Sequence, residues 1–234
     1  MVGFVSDAHG NPAGLEGCLR ALEMHGAERL YFLGDAVGYL PEEGAVLDLL
    51  RSRNAVCIRG NHEAFLLGRL AIPEGRNQIY RISEARARLQ PRHRSWIEQW
   101  PIRLELELDG VRLLLVHGSP QDPLAGYVYP DSDVSSFGAL SFDFVLMGHT
   151  HRPFLARAGS VTIVNVGSSG MPRDVGNLAS CAVFDSATRS CEILRVPFDA
   201  PALIAKWGDR IDASAAACLQ RAATESVVGR IVRA

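Results

Sequence analysis

Lysine is almost missing from this chain: Lys206 stands alone, and arginine supplies the rest of the 24 basic side chains. A GC-rich coding sequence produces that bias, so arginine abundance by itself says nothing about polyanion binding. Excess charge of either sign is missing too. The 24 Lys and Arg against 26 Asp and Glu leave a net charge of −2, which excludes a general nucleic-acid coat but not a local phosphate site. Cysteine is sparse, with five residues at 18, 57, 181, 191 and 218, an odd number with no C-x-x-C pair. That spacing rules out a zinc ribbon and predicts small, reduced, buried thiols in an intracellular chain. A membrane span takes about 20 apolar residues, and runs such as Leu113–Val116 and Phe144–Met147 fall far short of it. The opening MVGFVSDAHG has no charged leader region, so a secretory signal is not expected and a cytoplasmic location is. Internal repeats and low-complexity linkers are missing as well.

What remains is an ordinary globular composition, 47% hydrophobic over 234 residues, enough for one domain with a full core. Val2–Val5 is a short apolar run ending at the polar cluster Ser6–Asn11, and reads as a buried strand. Asn11 suits a helix N-cap with Pro12 in the first helical position, and Leu15, Cys18, Leu19 and Leu22 follow at helical spacing before Gly26. Arg29–Leu33 and Ala55–Ile58 predict two more strands, with a helix between them from near Pro41 to Leu50. This alternation implies a partly parallel sheet with right-handed crossovers. All three strands run into polar, glycine-bearing loops at their carboxyl ends, where open α/β sheets bind ligands.

Residues 64 to about 100 are arginine-rich and helix-compatible, and predict a helical insertion beside that edge. From Arg103 the pattern turns to strands: Leu104, Leu106 and Leu108 alternate with Glu105 and Glu107, and Asp109-Gly110 is a hairpin signal before Val111–Val116. Further strands are expected at 144–147, 154–157, 161–166, 179–184 and 191–196, and the alanine-rich chain from Pro201 is expected to be helical. The organisation predicted is a single domain over 1–234, with a helical insertion at about 64–100 and a helical tail at about 200–234.

Five of the seven histidines lie in loops directly after predicted strands: Asp7-x-His9, Gly34-Asp35, Gly60-Asn61-His62, His117 and Gly148-His149-x-His151. Taken singly, each histidine is more often structural than ligating. As a set they predict metal binding, because independent surface residues do not repeatedly choose that position. Carboxylate, amide and imidazole donors without cysteine suit borderline to hard divalent ions. Alternate residues of an extended segment face the same side, so both members of Asp-x-His and His-x-His can reach one cavity.

In order, SDAHGN, GDAVGYLP, RGNHE, VHGSP and GHTHRP resemble the five motifs of the calcineurin-like metallophosphoesterases, over roughly residues 5 to 185. HGSPQDPLAGYVYP and NVGSSGMPRD resemble the small bacterial phosphodiesterase branch. The resemblance implies a four-layer α-β-β-α sandwich, two mixed sheets face to face with helices outside. It implies that Asp7, His9 and His151 hold a first metal, that Asn61, His117 and His149 hold a second, and that Asp35 bridges them. His62 would stand off the metals as the catalytic residue facing substrate. The reaction implied is hydrolysis of a phosphodiester by in-line attack of a hydroxide held between two divalent ions, manganese first, with iron, zinc or nickel tolerated by the same donors. His62 would aid the leaving oxygen, as a general acid or as a positive neighbour. Substrate-binding roles are expected for Arg173 and for Asn11, the latter with Gly10 through backbone amides at the loop–helix junction. Arg152 adjoins the histidine pair.

Other residues receive plainer expectations. Glu63 is expected to provide an acidic first helical turn rather than to orient a neighbour. His25 and His93 are expected at the surface, and the arginines of 81–94 on a solvated helix face rather than gripping a polyanion. Gly38-Tyr39-Leu40 stands where Ser/Thr phosphatases of the superfamily carry Asp-Arg-Gly, which argues against a dedicated phosphoprotein phosphatase. His149-Thr150-His151-Arg152-Pro153 does not fit the His-x-His-x-Asp-His of metallo-β-lactamase-like hydrolases. The rival functions are a phosphomonoesterase or nucleotide pyrophosphatase in the same site, and a non-catalytic metal-binding scaffold for protein partners, against which His62 argues. The expected partner is a small-molecule phosphoester, with no membrane and no general nucleic-acid binding. A homo-oligomer packed through the alanine-rich tail stays open.

Overall fold

The structure, a computed structural model, describes residues 1–224 and 226–233. Strand β1 (Val2–Val5) is buried along its whole length, as its unbroken apolar run requires. Helix α1 (Pro12–Met24) starts where Asn11 accepts from the Gly14 amide at 3.1 Å, with Pro12 in the first turn. Its Leu15, Cys18, Leu19 and Leu22 form the buried stripe. The β–α alternation continues through β2 (Arg29–Phe32), α2 (Glu43–Ser52) and β3 (Val56–Cys57). β1, β2 and β3 pair in parallel, Val2 with Arg29 and Tyr31 with Val56 in register.

Four short helices follow: α3 (Asn61–Leu66), α4 (Asn77–Tyr80), α5 (Ile82–Arg88) and α6 (Pro91–Glu98). Then come the hairpin β4 (Arg103–Leu108) and β5 (Val111–Val116), and the strands β6 (Phe144–Met147), β7 (Phe154–Ala158), β8 (Val161–Asn165), β9 (Leu178–Asp185) and β10 (Ser190–Pro197). The chain ends with α7 (Ala200–Trp207), α8 (Ala213–Leu219) and β11 (Arg230–Ile231).

The strands form two mixed sheets, one ordered β11-β10-β9-β1-β2-β3 and the other β4-β5-β6-β8-β7. Alternation decides what each face meets. Val2, Phe4, Tyr31, Leu33, Phe184 and Ile193 of the first sheet pack against Leu113, Leu115, Phe144, Leu146, Val164 and Val166 of the second. Val5, Phe32, Cys57, Cys181, Val183 and Leu194 point the other way, onto α1, α2, α5 and α6. Burying one such large side chain stabilises by about 1.5–3 kcal/mol. The fold is therefore the expected sandwich of two mixed sheets flanked by helices. The layer outside the second sheet is thin: Val128, Phe137 and Leu140 cover it from a segment whose helical piece is the 3₁₀ turn Ser135–Ala139.

Three expectations need correction. The tail is helical only to Leu219; β11 then adds to the first sheet beside β10, and the Val232 amide donates to Arg195 O at 2.9 Å. Alanine content predicts helix but cannot see an edge strand recruited by a neighbour. His93 is buried, 4% exposed, with Nε2 3.1 Å from Asp48 Oδ1, which ties α6 to α2. The arginines of 81–94 are mostly engaged within the fold: Arg86 donates to Phe65 O and Leu66 O, the last carbonyls of α3, at 2.8 and 2.9 Å, and Arg88 to Glu43 at 2.6 Å. Among the described residues, no helix is long and apolar enough to cross a membrane.

Candidate metal centre and active site

β1, β2 and β3 of one sheet and β5 and β6 of the other all end at one edge of the sandwich. The loops after them are laced together. The amides of Asp7 and His9 donate to Gly34 O and Asp35 O at 2.9 and 3.0 Å, joining the first two loops. Across the sheets, the His149 amide donates to Asp7 Oδ2 at 3.0 Å and His117 Nδ1 to Leu33 O at 2.7 Å. The NVGSSG segment locks the same place from behind: Ser168 Oγ donates to Asp7 O at 2.7 Å and Ser169 Oγ to Ser6 O at 2.9 Å.

All seven expected ligands are buried at this edge, none more than 7% exposed. The ligand atoms of Asp7, His9 and His151 lie within 4.8 Å of one another, as do those of Asp35, His117 and His149, and those of His9, Asp35 and His62. Asn61 Oδ1 is 3.0 Å from His117 Nε2, and Asp35 Oδ2 is 3.3 Å from His117 Nε2 and 3.7 Å from His9 Nε2. Asp35 therefore sits between the two groups.

Backbone strain is concentrated here. Asp7, His9, Asp35, His149 and His151 have φ of 53°, 45°, 63°, 65° and 59°, in the left-handed region that side chains rarely adopt. Such conformations cost on the order of 1–3 kcal/mol each and persist where surrounding bonds over-determine them. The motif glycines serve close approach. A Cβ on Gly60 would meet Asp35 Oδ1 at 2.2 Å, and one on Gly148 would meet Asp7 Oδ2 at 2.4 Å.

The donor set fits cations. His9 Nδ1 and His151 Nδ1 each face a carbonyl, Val37 O at 3.1 Å and Met171 O at 2.6 Å, so both must donate there. The neutral form of each ring then leaves Nε2 a bare lone pair. Those two nitrogens are 3.0 Å apart, a repulsive contact unless a cation or proton lies between them. Asp7 Oδ1 and His149 Nε2 are buried and have no hydrogen-bond partner among the described residues.

Electrostatics agree with that reading. Burial alone would raise the carboxyls of Asp7 and Asp35, but the imidazoles around them outweigh it, His151 and His117 for Asp7 and His117 and His62 for Asp35. Both stay ionised, well below the usual carboxylate range. Burial pulls His149 down to about 3 and, with Arg173 adding to it, His151 to about 4. Burial also opposes the charge on His117, but Asp35 and Asp7 override it and raise the ring to about 10, so a cation entering here displaces a proton.

His62 stands beside this set, its ring 4.6 Å from that of His9. Its Nδ1 faces Val37 O at 3.1 Å, its amide donates to Asp35 Oδ1 at 2.8 Å, and its ring stacks on Tyr39 at 5.2 Å and 15°. Tyr80 and Phe65 close on it at 4.7 and 5.7 Å. Burial, with Asp35 opposing, lowers it to about 3. Arg173 is brought to the same place, with Nη2 donating to Tyr39 Oη at 3.2 Å. Asn11 is not available to a substrate. Its side chain caps α1 and donates to Gly170 O at 2.9 Å, its amide donates to Ala8 O at 2.8 Å, and the Gly10 amide to Ala36 O at 2.9 Å.

Glu63 orients its neighbours, beyond the plain acidic first turn expected of it. Fully buried, it accepts from the amides of Asp35 and Ala36 at 2.8 Å each and of Gly60 at 2.9 Å, fixing the Asp35 loop against the loop that carries Asn61 and His62. The signal was present: Glu63 is the third residue of α3, where a glutamate reaches back to cap the helix start. Glu63→Gln places an amide NH₂ among backbone donors. It is expected to lower metal affinity and turnover by about 10–100-fold, the usual cost of losing an orienting partner. Metal titration and turnover at saturating metal check this, and wild-type affinity would remove the positioning role.

Residues 1–189 match the family model described as the calcineurin-like phosphoesterase superfamily domain. The chain belongs to that superfamily, a family of divalent-metal-dependent phosphoesterases. It is 28% identical over 218 residues to an uncharacterised protein of Methanocaldococcus jannaschii, covering 85% of this chain and 88% of that one. It is similar to a metallophosphoesterase from Sphaerobacter thermophilus, with TM-score 0.79 and 25% identity over 93% of this chain and 97% of that one. A hypothetical protein from Pyrococcus horikoshii shares the fold with TM-score 0.82 at 21% identity, over 96% of this chain and 99% of that one.

Proposed function

We propose that this protein is a phosphodiesterase whose reaction centre holds two divalent cations, manganese foremost, with Asp35 between them. The observation that carries the reading is the convergence of donor atoms from Asp7, His9, Asp35, Asn61, His117, His149 and His151 at one buried edge, with Asp7 Oδ1 and His149 Nε2 left without a partner among the described residues. Bound there, the cations would supply positive charge to the phosphoryl oxygens and an activated water for attack on phosphorus.

The protein's own groups do the rest. The carbonyls of Leu33, Val37 and Met171 fix ring tautomers so that each Nε2 faces inward. Arg173 offers its guanidinium to an equatorial phosphoryl oxygen. His62, neutral at rest, presents Nε2 to the substrate side. It takes up a proton with the anionic ester and returns it to the leaving oxygen. The preference for diesters rests on the likeness of HGSPQDPLAGYVYP and NVGSSGMPRD to that branch. In this reading the helices between Asn61 and Glu98, and those of the tail, are walls of one catalytic domain in a cytoplasmic enzyme.

The test is turnover of bis(p-nitrophenyl) phosphate and p-nitrophenyl phosphate by metal-stripped protein, before and after manganese, iron, zinc or nickel is added. Manganese-restored diester hydrolysis is the expected result. Brisk monoester turnover without diester turnover would make the protein a phosphomonoesterase. No turnover with two ions bound per chain would make it a scaffold.

A further inference from the structure

The hollow among the metal-centre residues is small, about 20 Å³, room for about one or two waters. Whatever an ester carries beyond its scissile phosphoryl group must therefore lie outside. Outside it is a cavity of about 390 Å³ that shares Tyr39, Tyr80, Tyr127 and Arg173 with the hollow. That volume falls within the roughly 300–1,000 Å³ of small-molecule sites.

Its wall has an unusual composition. The chain has five tyrosines, and four of them stand here, the three shared ones and Tyr129. The fifth, Tyr31, packs on Phe4 in the core. Tyr127 and Tyr129 stack on each other at 5.8 Å and 10° while 56% and 37% exposed, and Tyr127 lies 4.2 Å from the ring of His149. Two parallel rings left open beside a ligand histidine fill no core; they offer a face to another flat ring. Arg76, Arg173 and Arg221 stand on the same wall, as do Ile79, Met171, Ser214, Ala215 and Cys218, and among the described residues no Asp or Glu lines it. Some arginines elsewhere are paired, such as Arg88 with Glu43, Arg92 with Asp48 and Arg195 with Asp174. Arg76, Arg173 and Arg221 have no carboxylate partner among the described residues. Arg76 and Arg221 line the outer cavity but not the inner hollow, so an anion that met them would be other than the scissile phosphate.

We propose that this cavity binds the base and a second phosphate of a nucleotide whose scissile ester lies at the metal centre. This rests on the phosphoesterase reading above. Its chemistry is the same hydrolysis: the P–O ester bond breaks, water gives OH to phosphorus, and its other proton goes to the departing oxygen. Base stacking on an aromatic side chain contributes on the order of 1–3 kcal/mol, or about 5–150-fold in affinity.

Three esters with one leaving group test the proposal: methyl p-nitrophenyl phosphate, thymidine 5′-(p-nitrophenyl phosphate), and the latter with a 3′-phosphate. KM is expected to fall about tenfold on adding the nucleoside and about fivefold more on adding the 3′-phosphate, the second gain shrinking with salt. In Tyr129→Ala the nucleoside-to-methyl ratio of kcat/KM should fall about tenfold, and in Arg76→Ala the gain from the 3′-phosphate should vanish. Calorimetric titration of thymidine 3′,5′-bisphosphate, thymidine and inorganic phosphate into the same proteins gives a readout independent of turnover. The bisphosphate should bind more tightly than either part, and less tightly in both variants. Hydrolysis of the methyl ester with no nucleoside gain overturns the nucleotide site and leaves the phosphoesterase standing. Bisphosphate binding weakened by the variants, with no ester hydrolysed, keeps the nucleotide site and overturns the phosphoesterase. Neither hydrolysis nor binding overturns both.

Discussion

His62→Ala is expected to lower kcat by about 10²–10⁴-fold while both cations stay bound, the range of a positioned proton-transfer group. The separation of the two effects follows from geometry. What His62 gives the Asp35 carboxylate is its backbone amide, at 2.8 Å, and alanine keeps that bond. What alanine removes is a ring held on three sides by Tyr39, Tyr80 and Phe65, with Nδ1 tied to Val37 O. A ring so fixed has one free nitrogen, Nε2, and loses little freedom when it meets a substrate. The leaving group then distinguishes two ways the ring could act. If His62 hands a proton to the departing oxygen, the loss should be largest for alkyl esters, whose alkoxide needs that proton. It should shrink for p-nitrophenyl esters, whose phenolate leaves without it. If the ring serves only as a positive neighbour, the two losses should match. Turnover within a few-fold of wild type on both ester types, at full metal content, would take His62 out of the mechanism.

Much of this arrangement is legible in the chain because one physical signal repeats. An apolar run four to six residues long, closed by Asp, Asn or His next to glycine, marks the end of β1, β2, β3, β5 and β6. The tight backbone of such loops explains the glycines: Gly60 and Gly148 lie where a Cβ would strike the carboxylates of Asp35 and Asp7. What stayed hidden depends on contacts between distant segments. Glu63 looks like any acidic first-turn residue until the loop of Asp35, 28 residues away, is laid against it. His93 looks exposed until α6 meets Asp48 on α2. Asn11 has the right place for a phosphate-binding turn, yet Gly170, from beyond β8, claims its side-chain amide first. Tyr127 and Tyr129 sit in a loop with no periodic pattern, and only tertiary structure brings Tyr127 to His149 and both into one cavity with Tyr39 and Tyr80. Local rules thus find residues that end strands, and miss those whose role is to meet another strand's loop.

Asp35→Asn is expected to lower the affinity for both cations by more than the 10–100-fold that loss of an orienting partner alone costs, and turnover with it. Asparagine is the right probe because it spares the fold. It matches aspartate in size and is among the residues most at ease at the φ of 63° that position 35 adopts. With its oxygen placed at the Oδ1 position, it still accepts from the His62 amide. Its NH₂ then falls at the Oδ2 position, 3.3 Å from His117 Nε2 and 3.7 Å from His9 Nε2, where the two ligand groups meet. A negative acceptor becomes a neutral donor aimed at the place proposed for the cations. The change also removes one of the two carboxylates that face the imidazoles, which would leave Asp7 to balance the two proposed ions alone. Metal analysis after dialysis, beside a thermal melt of the metal-free protein, separates the causes. An unchanged melt with both ions lost places the effect on ligation. Loss of a single ion would make Asp35 a ligand of one site, and retention of both at wild-type affinity would contradict any bridging role.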